Sequence, residues 1–286
     1  MDPALTKEKE QELRLLAYRL RTHAIRMITE AKSGHPGGSL GMAEVFAVLY
    51  GHLLKHDPKR PDWADRDRLV LSNGHICPIQ YAALAESGYF PVEELMTLRK
   101  FGSRLQGHPE RGALPGLETT SGPLGAGLAQ AAGMAHAGLM DGKKFNVFCV
   151  TSDGEHDAGL HWEAVMFAGK EKLDNLVCIV DRNGIQLSGD TKDIMPLEPL
   201  ADKYRTFGWE TVEVDGHDVR ALDRALHTGR ERLGRPVVVI AKVTPGKGVS
   251  FMEHDWRWHG MAPTADQAAR ALKELEAETA KIRKSA

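Results

Sequence analysis

The chain has 286 residues, enough for one large domain or two small ones at about 100 to 200 residues each, and a single domain over residues 1–286 is expected. With 37 basic and 39 acidic residues, net charge -2, it has no field to hold a polyanion or a membrane surface by charge, so neither nucleic acid nor membrane is an expected partner. Cys77, Cys149 and Cys178 are odd in number, widely separated and not in C-x-x-C spacing, which argues against a disulfide framework and a zinc site and for core thiols in a reducing compartment.

Residues 1–26 are charged throughout and show no apolar signal-peptide region, and no apolar run approaches the roughly 18 residues of a spanning helix. A soluble, cytoplasmic protein is expected. Leu13, Leu16, Ala17, Leu20, Ala24, Met27, Ile28 and Ala31 recur at helical spacing and predict an opening amphipathic helix. Ser33-Gly-His-Pro-Gly-Gly38 reads as a loop too glycine-rich to stay helical, and the period resumes over 42–53. A strand is predicted at 68–72. Residues 102–127 form a long Gly- and Pro-rich stretch, and a loop of that length inside a compact domain is usually functional.

From 145 onward, short β-branched runs at 145–151, 176–181, 210–214 and 237–242 are separated by helical stretches. Continuous apolar runs such as Val-Cys-Ile-Val belong to strands buried on both faces. The fold class is therefore α/β, a mostly parallel central sheet with helices on both faces. Thr264 and Gln267 have capping-box spacing and open a last helix, about 264–283, which closes the domain and is expected to fray from Lys281.

In open α/β sheets ligands sit beyond the carboxyl ends of the strands. One predicted strand runs into Ser152-Asp-Gly-Glu155 and the next into Arg182-Asn-Gly-Ile185, one βαβ unit later, so Asp153 and Asn183 are placed to face one crevice. A carboxylate, an amide oxygen and a backbone carbonyl make a hard, low-charge oxygen site of the kind that holds magnesium on a diphosphate. Either motif alone is an ordinary turn dipeptide; the pairing makes them candidates.

His35, His75, His108 and His259 follow a Gly or end a motif in loops, and Pro36 and Pro109 hold two of them out of helical geometry. Imidazoles there suit proton transfer or hydrogen bonding to phosphate and sugar oxygens. His23, His52, His56, His136, His156, His161, His217, His227 and His254 read as surface residues, with His217 in a turn before a helix capped by Asp218. Gly122-Pro-Leu-Gly-Ala-Gly127 opens a helix and offers backbone N–H groups, but it lacks dinucleotide spacing. No P-loop, nucleophile elbow or good protein nucleophile is present, which points to a cofactor as carrier of the hard chemistry.

Taken in order, Ser33-Gly-His-Pro-Gly-Gly38, Asp67-Arg-Leu-Val-Leu-Ser-Asn-Gly-His75, Gly107-His-Pro-Glu110, Thr120-Ser-Gly-Pro-Leu-Gly125, Ser152-Asp-Gly-Glu155, Asp181-Arg-Asn183 and Trp258-His-Gly260 resemble the transketolase family. The match covers the first of that family's three domains, so the chain resembles the N-terminal subunit of a split transketolase. The resemblance implies thiamine diphosphate and a divalent ion (Mg2+, or Ca2+ or Mn2+) held by Asp153, Asn183 and the Ile185 carbonyl, with Gly154 backing the diphosphate. It also implies that His75 and His259 approach the diphosphate and thiazolium, that His35 and His108 contact the sugar, and that Leu124 and Gly125 lie near the aminopyrimidine. The implied reaction moves a two-carbon ketol unit from a ketose phosphate to an aldose phosphate.

The family's activating glutamate and its sugar-phosphate grip belong to its second domain. The resemblance therefore implies a C-terminal partner subunit, two copies of each chain, and no ketol transfer by this chain alone. One departure is that the family's Glu-Gly is Ala158-Gly159 here, with the acidic residue one place early at Asp157. Competing expectations are a non-catalytic thiamine-binding or regulatory module, and a subunit of 1-deoxyxylulose-phosphate synthase or a 2-oxoacid dehydrogenase. Six retained polar side chains, His35, His75, His108, His259, Asp153 and Asn183, favour the enzyme.

Overall fold

A computed structural model describes residues 5–284. Helix α1 (Lys7–Ala31) starts at Thr6, whose hydroxyl accepts from the Lys9 N–H at 3.2 Å, and buries the expected stripe from Leu13 through Ile28. Helices α2 (Pro36–Gly41) and α3 (Ala43–Val48) and a π-turn at Leu49–Leu53 follow, then β1 (Arg68–Leu71) and α4 (Cys77–Glu86). After the long loop come α5 (Ala126–Met140), β2 (Val147–Ser152), α6 (Gly159–Lys170) and β3 (Leu176–Arg182). A small hairpin, β4 (Ile185–Gln186) with β5 (Gly189–Asp190), leads into α7 (Thr191–Ile194) and α8 (Leu200–Thr206). The chain closes with β6 (Glu210–Asp215), α9 (Val219–Thr228), β7 (Val237–Lys242) and α10 (Ala265–Lys284).

Five strands form one parallel sheet in the order β1-β2-β3-β7-β6. Side chains alternate between its faces. Phe148, Val150, Val177 and Ile179 enter a core covered by α1, α3, α4 and α9, while Val147, Cys149, Leu176 and Cys178 enter a second core under α5, α6 and α8. Each buried aliphatic side chain contributes about 1.5–3 kcal/mol, so a strand feeding two cores must be apolar along its whole length. The three cysteines are buried and free. Among the described residues no helix is long and apolar enough to cross a membrane.

Four local expectations are corrected. The glycine-rich segment is not all loop, because α2 begins at Pro36, whose fixed φ suits a first helical position. The 42–53 period is not one α-helix: α3 starts at Ala43 and passes at Leu49 into the π-turn, where the Leu54 N–H reaches the Leu49 carbonyl at 2.8 Å. The last helix does not fray at Lys281, since Ile282 is buried and its carbonyl accepts from the Gln11 side chain at 3.0 Å. The strand at 145–151 starts instead at Val147, because Asp67 caps the Asn146 N–H at 2.8 Å just before it.

Candidate active site

Ser152 at the end of β2 pairs with Asp181 near the end of β3, so the parallel register brings Asp153 level with the Arg182–Asn183 turn. Both motifs open on one cavity of about 330 Å³. Asp153, Gly154, Asn183 and Ile185 line one part of it and His35, His75, His108, His259 and Leu124 another, with Gly122, Ser152, Gln186 and Leu187 completing the wall. Gly125 is the exception among the expected site residues. It lies buried behind the wall with its N–H donated to Glu155 at 2.7 Å, so that part of the Gly122–Gly127 segment is not open to a ligand.

Asp153 is fully buried. Its Oδ2 accepts from the Gly184 N–H at 2.7 Å and from Arg182 at 2.8 Å, and its Oδ1 from the Gly154 N–H at 2.9 Å. Burial outweighs these donors and lifts the carboxyl to about 6. A divalent cation added beside it would favour the charged form further. The Asn183 amide nitrogen donates to Asp181 at 2.9 Å, which commits that end and leaves Oδ1 as the acceptor, here for the Ile185 N–H at 2.9 Å. Burial, then the neighbouring Asp153, hold the Asp181 carboxyl well above the usual range, and its Oδ2 has no partner among the described residues. Donors that are all oxygen, on one wall and with the amide orientation settled, fit a hard divalent ion.

The histidines come from four segments. His35 occupies the position just before α2, His75 sits on a 3-10 turn (Gly74–Ile76) after β1, His108 on the long loop and His259 on a turn (Trp256–His259). Ring centroids of His35, His75 and His259 lie 5.0 to 5.7 Å apart. Burial lowers His35 to about 4, with His259, Arg99 and His108 adding to it, and burial carries His75 well below the normal value. His108 and His259 are lowered too, first by lost solvation. All four shifts run toward the neutral imidazole, and Nδ1 of His35 is buried without a partner among the described residues.

Close backbone approach explains the glycines. A Cβ on Gly37 would sit 3.1 Å from the Trp258 carbonyl, and one on Gly38 would sit 2.7 Å from Ile76 and 3.4 Å from Asp181. Only a bare backbone lets α2 carry His35 up to His259.

Sequence reasoning missed several supports. Glu155, fully buried, accepts from Ser72, from Gly125 at 2.7 Å and from Ser152 at 2.8 Å, tying the ends of β1 and β2 to the start of α5. Arg99 bridges the loops of His35 and His108, donating to Ser33 at 3.0 Å and to the Gly107 carbonyl at 3.2 Å. His156 and His161, expected on the surface, are buried on either side of the Tyr204 hydroxyl, at 3.0 and 2.7 Å. His217 does precede the Asp218 cap, but it also contacts Glu44 at 3.0 Å and accepts from the Thr244 N–H at 2.8 Å. Asp157 is exposed and accepts from Gln186 at 3.0 Å, whereas Ala158 packs on Gly125, so the acid one place early does not fill the Ala158 position.

A parallel sheet with an oxygen-donor wall and a histidine cluster over its strand ends defines a diphosphate-binding α/β domain. Residues 13–283 match the family model described as transketolase, thiamine diphosphate binding domain, and the chain belongs to that family. It is 42% identical over 273 residues to a 6-deoxy-6-sulfo-D-fructose transketolase subunit of Clostridium sp. (strain MSTE9), covering 96% of this chain and 99% of that relative. It is 36% identical to an apulose-4-phosphate transketolase subunit of Phocaeicola vulgatus, covering 96% and 97%. Among solved structures, transketolase from Leishmania mexicana superposes with a TM-score of 0.83 at 31% identity, over 95% of this chain but 46% of that one. The chain thus spans nearly all of the subunit relatives and under half of the longer transketolase.

Proposed function

We propose that this chain is the N-terminal subunit of a thiamine diphosphate-dependent transketolase, moving a two-carbon ketol unit from a ketose phosphate to an aldose phosphate together with a C-terminal partner subunit. The observation that carries the reading is the single cavity in which Asp153 and Asn183 meet His35, His75, His108 and His259. The subunit names of the first relatives support a two-chain enzyme. So does α6, which exposes Leu160, Met166 and Phe167, apolar side chains suited to a covered face.

Thiamine diphosphate, when bound, supplies the nucleophilic carbon and electron sink that the protein's own side chains lack. Asp153, Asn183 Oδ1 and the Ile185 carbonyl would hold Mg2+, Ca2+ or Mn2+ against the diphosphate, with Gly154 leaving room for it. Arg182 and the Gly184 N–H keep Asp153 oriented, and Asp181 holds the Asn183 amide nitrogen so that its oxygen would be the atom offered to an ion. The neutral imidazoles act first as acceptors of sugar hydroxyl protons. Their mutual proximity makes a second proton on the cluster costly. Sugar choice and cofactor activation belong to the partner subunit in this reading, and the complex works in the cytoplasm.

Native mass spectrometry of the protein isolated gently from its source cells tests this. The expected species contains thiamine diphosphate, a second chain and two copies of each, and Asp153→Ala loses both cofactor and turnover in the reconstituted complex. Recovery alone, with no cofactor bound even after adding thiamine diphosphate and Mg2+, would favour a non-catalytic module. Robust ketol transfer by the purified single chain would remove the partner requirement.

A further inference from the structure

A second cluster lies away from the strand-end cavity, between the π-turn at Leu49–Leu53 and the end of α9. His52, on the π-turn, faces Asp223 and His227, which sit four residues apart on one face of α9. Their donor atoms all lie within 4.8 Å of one another. Asp223 Oδ1 is 3.5 Å from the His52 Nε2 and 3.2 Å from the His227 Nδ1. A tetrahedral shell with bonds of about 2.0–2.1 Å has donor-to-donor edges of about 3.3 Å, so two of the three edges already have the length a bound metal requires.

Asp223 supplies an independent sign of a missing ligand. Its side chain is only 8% exposed, yet Oδ1, aimed between the two imidazoles, makes no hydrogen bond among the described residues. A buried carboxylate oxygen without a partner is a costly arrangement that a cation relieves. His227 Nδ1 also lies 2.9 Å from the Asp223 carbonyl, which keeps its helical N–H partner if that nitrogen turns onto a metal.

The fold adds favourable potential. His227 stands in the last turn of α9 and His52 in the last turn of the π-segment, so two helix carboxyl ends present their negative partial charge to one spot. The same carbonyl end attracts a cation already, since Arg230 donates to the Leu53 carbonyl.

We infer that His52, Asp223 and His227 form a surface site for a borderline transition-metal ion, Zn2+ foremost, with water completing the shell on the exposed His52 side. Two imidazoles and one carboxylate select zinc, cobalt or nickel over magnesium, whose shell is oxygen only. The cysteine spacing argued against a zinc site, but this one needs no thiolate. The inference stands apart from the ketol-transfer reading, because its readout is metal binding and not turnover.

The test uses the full chain, stripped with chelator and titrated with Zn2+ by calorimetry, with Co2+ as a spectroscopic probe. One Zn2+ per chain is expected, with affinity falling at least tenfold in His52→Ala and again in His227→Ala, and kept in Asp153→Ala. Co2+ should give the visible bands of a four- or five-coordinate ion, absent in both histidine variants. Both histidines lie outside the deep core, so these variants keep the fold where Asp223→Ala risks losing it. Absence of Zn2+ binding by the parent, or equal binding by the histidine variants, overturns the inference, as does loss of the site in Asp153→Ala alone.

Discussion

Arg21 is the largest fully buried side chain, and its guanidinium forks onto Glu44 at 2.7 and 2.6 Å while donating to the Leu40 carbonyl at 3.0 Å. Burial alone would raise Glu44, but Arg21 and then His217 outweigh it and hold the carboxyl at about 2. A carboxylate with a depressed folded pKa stabilises the fold fully above its unfolded value of about 4.3, and that contribution is lost as pH falls toward 2. Glu44→Gln should therefore lose about 3 kcal/mol near neutral pH, and denaturation curves of parent and variant should converge between about pH 4 and 2. A pH-independent gap would contradict the assignment. At the strand-end cavity, Glu155→Ala leaves the Gly125 and Ser152 N–H groups and the Ser72 hydroxyl without their acceptor. A loss of about 2–4 kcal/mol in urea unfolding is expected, with weaker thiamine diphosphate binding as the loops separate. Asp153 and Asn183 were legible because turn residues at strand ends announce themselves. Glu155, Arg99 and Asp181 were not, because a side chain that braces a loop looks like any other polar residue until its partners are known.

At the scale of elements, α2 decides the site. Its Pro and glycines read locally as loop, and its helical state comes from packing, since six residues cannot sustain a helix alone. The reason for the glycines is tertiary: the Trp256–His259 turn and Ile76 press on their Cα atoms. Gly37→Ala should push α2 from that turn, destabilising by about 1–3 kcal/mol and moving His35 from His259. Equilibrium unfolding reads the first effect, and the second appears as a lower kcat in the reconstituted complex with little change in folding rate. The strands behaved otherwise. Runs buried on both faces carry their own signature, so all five core strands were found within two residues of their ends, while the two-residue strands of the small hairpin have no periodicity to read.

For the molecule as a whole, the exposed apolar face of α6 is where the proposed two-chain assembly can be tested. Phe167→Asp should leave the chain folded, since Phe167 is 40% exposed, and lower the mass of the assembly seen by light scattering when the partner is present. An unchanged mass would move the interface elsewhere. The sequence by itself determined the α/β class, the parallel strands and the motifs bearing Asp153, Asn183, His35, His75, His108 and His259, because period, burial pattern and turn chemistry are local properties of a chain. Only the tertiary structure decided that these residues share one cavity, that Gly125 lies behind its wall, that His156 and His161 are core, and that His52 meets Asp223 and His227. Those are distances between segments far apart in sequence, set by strand register and helix packing, and no local pattern encodes them.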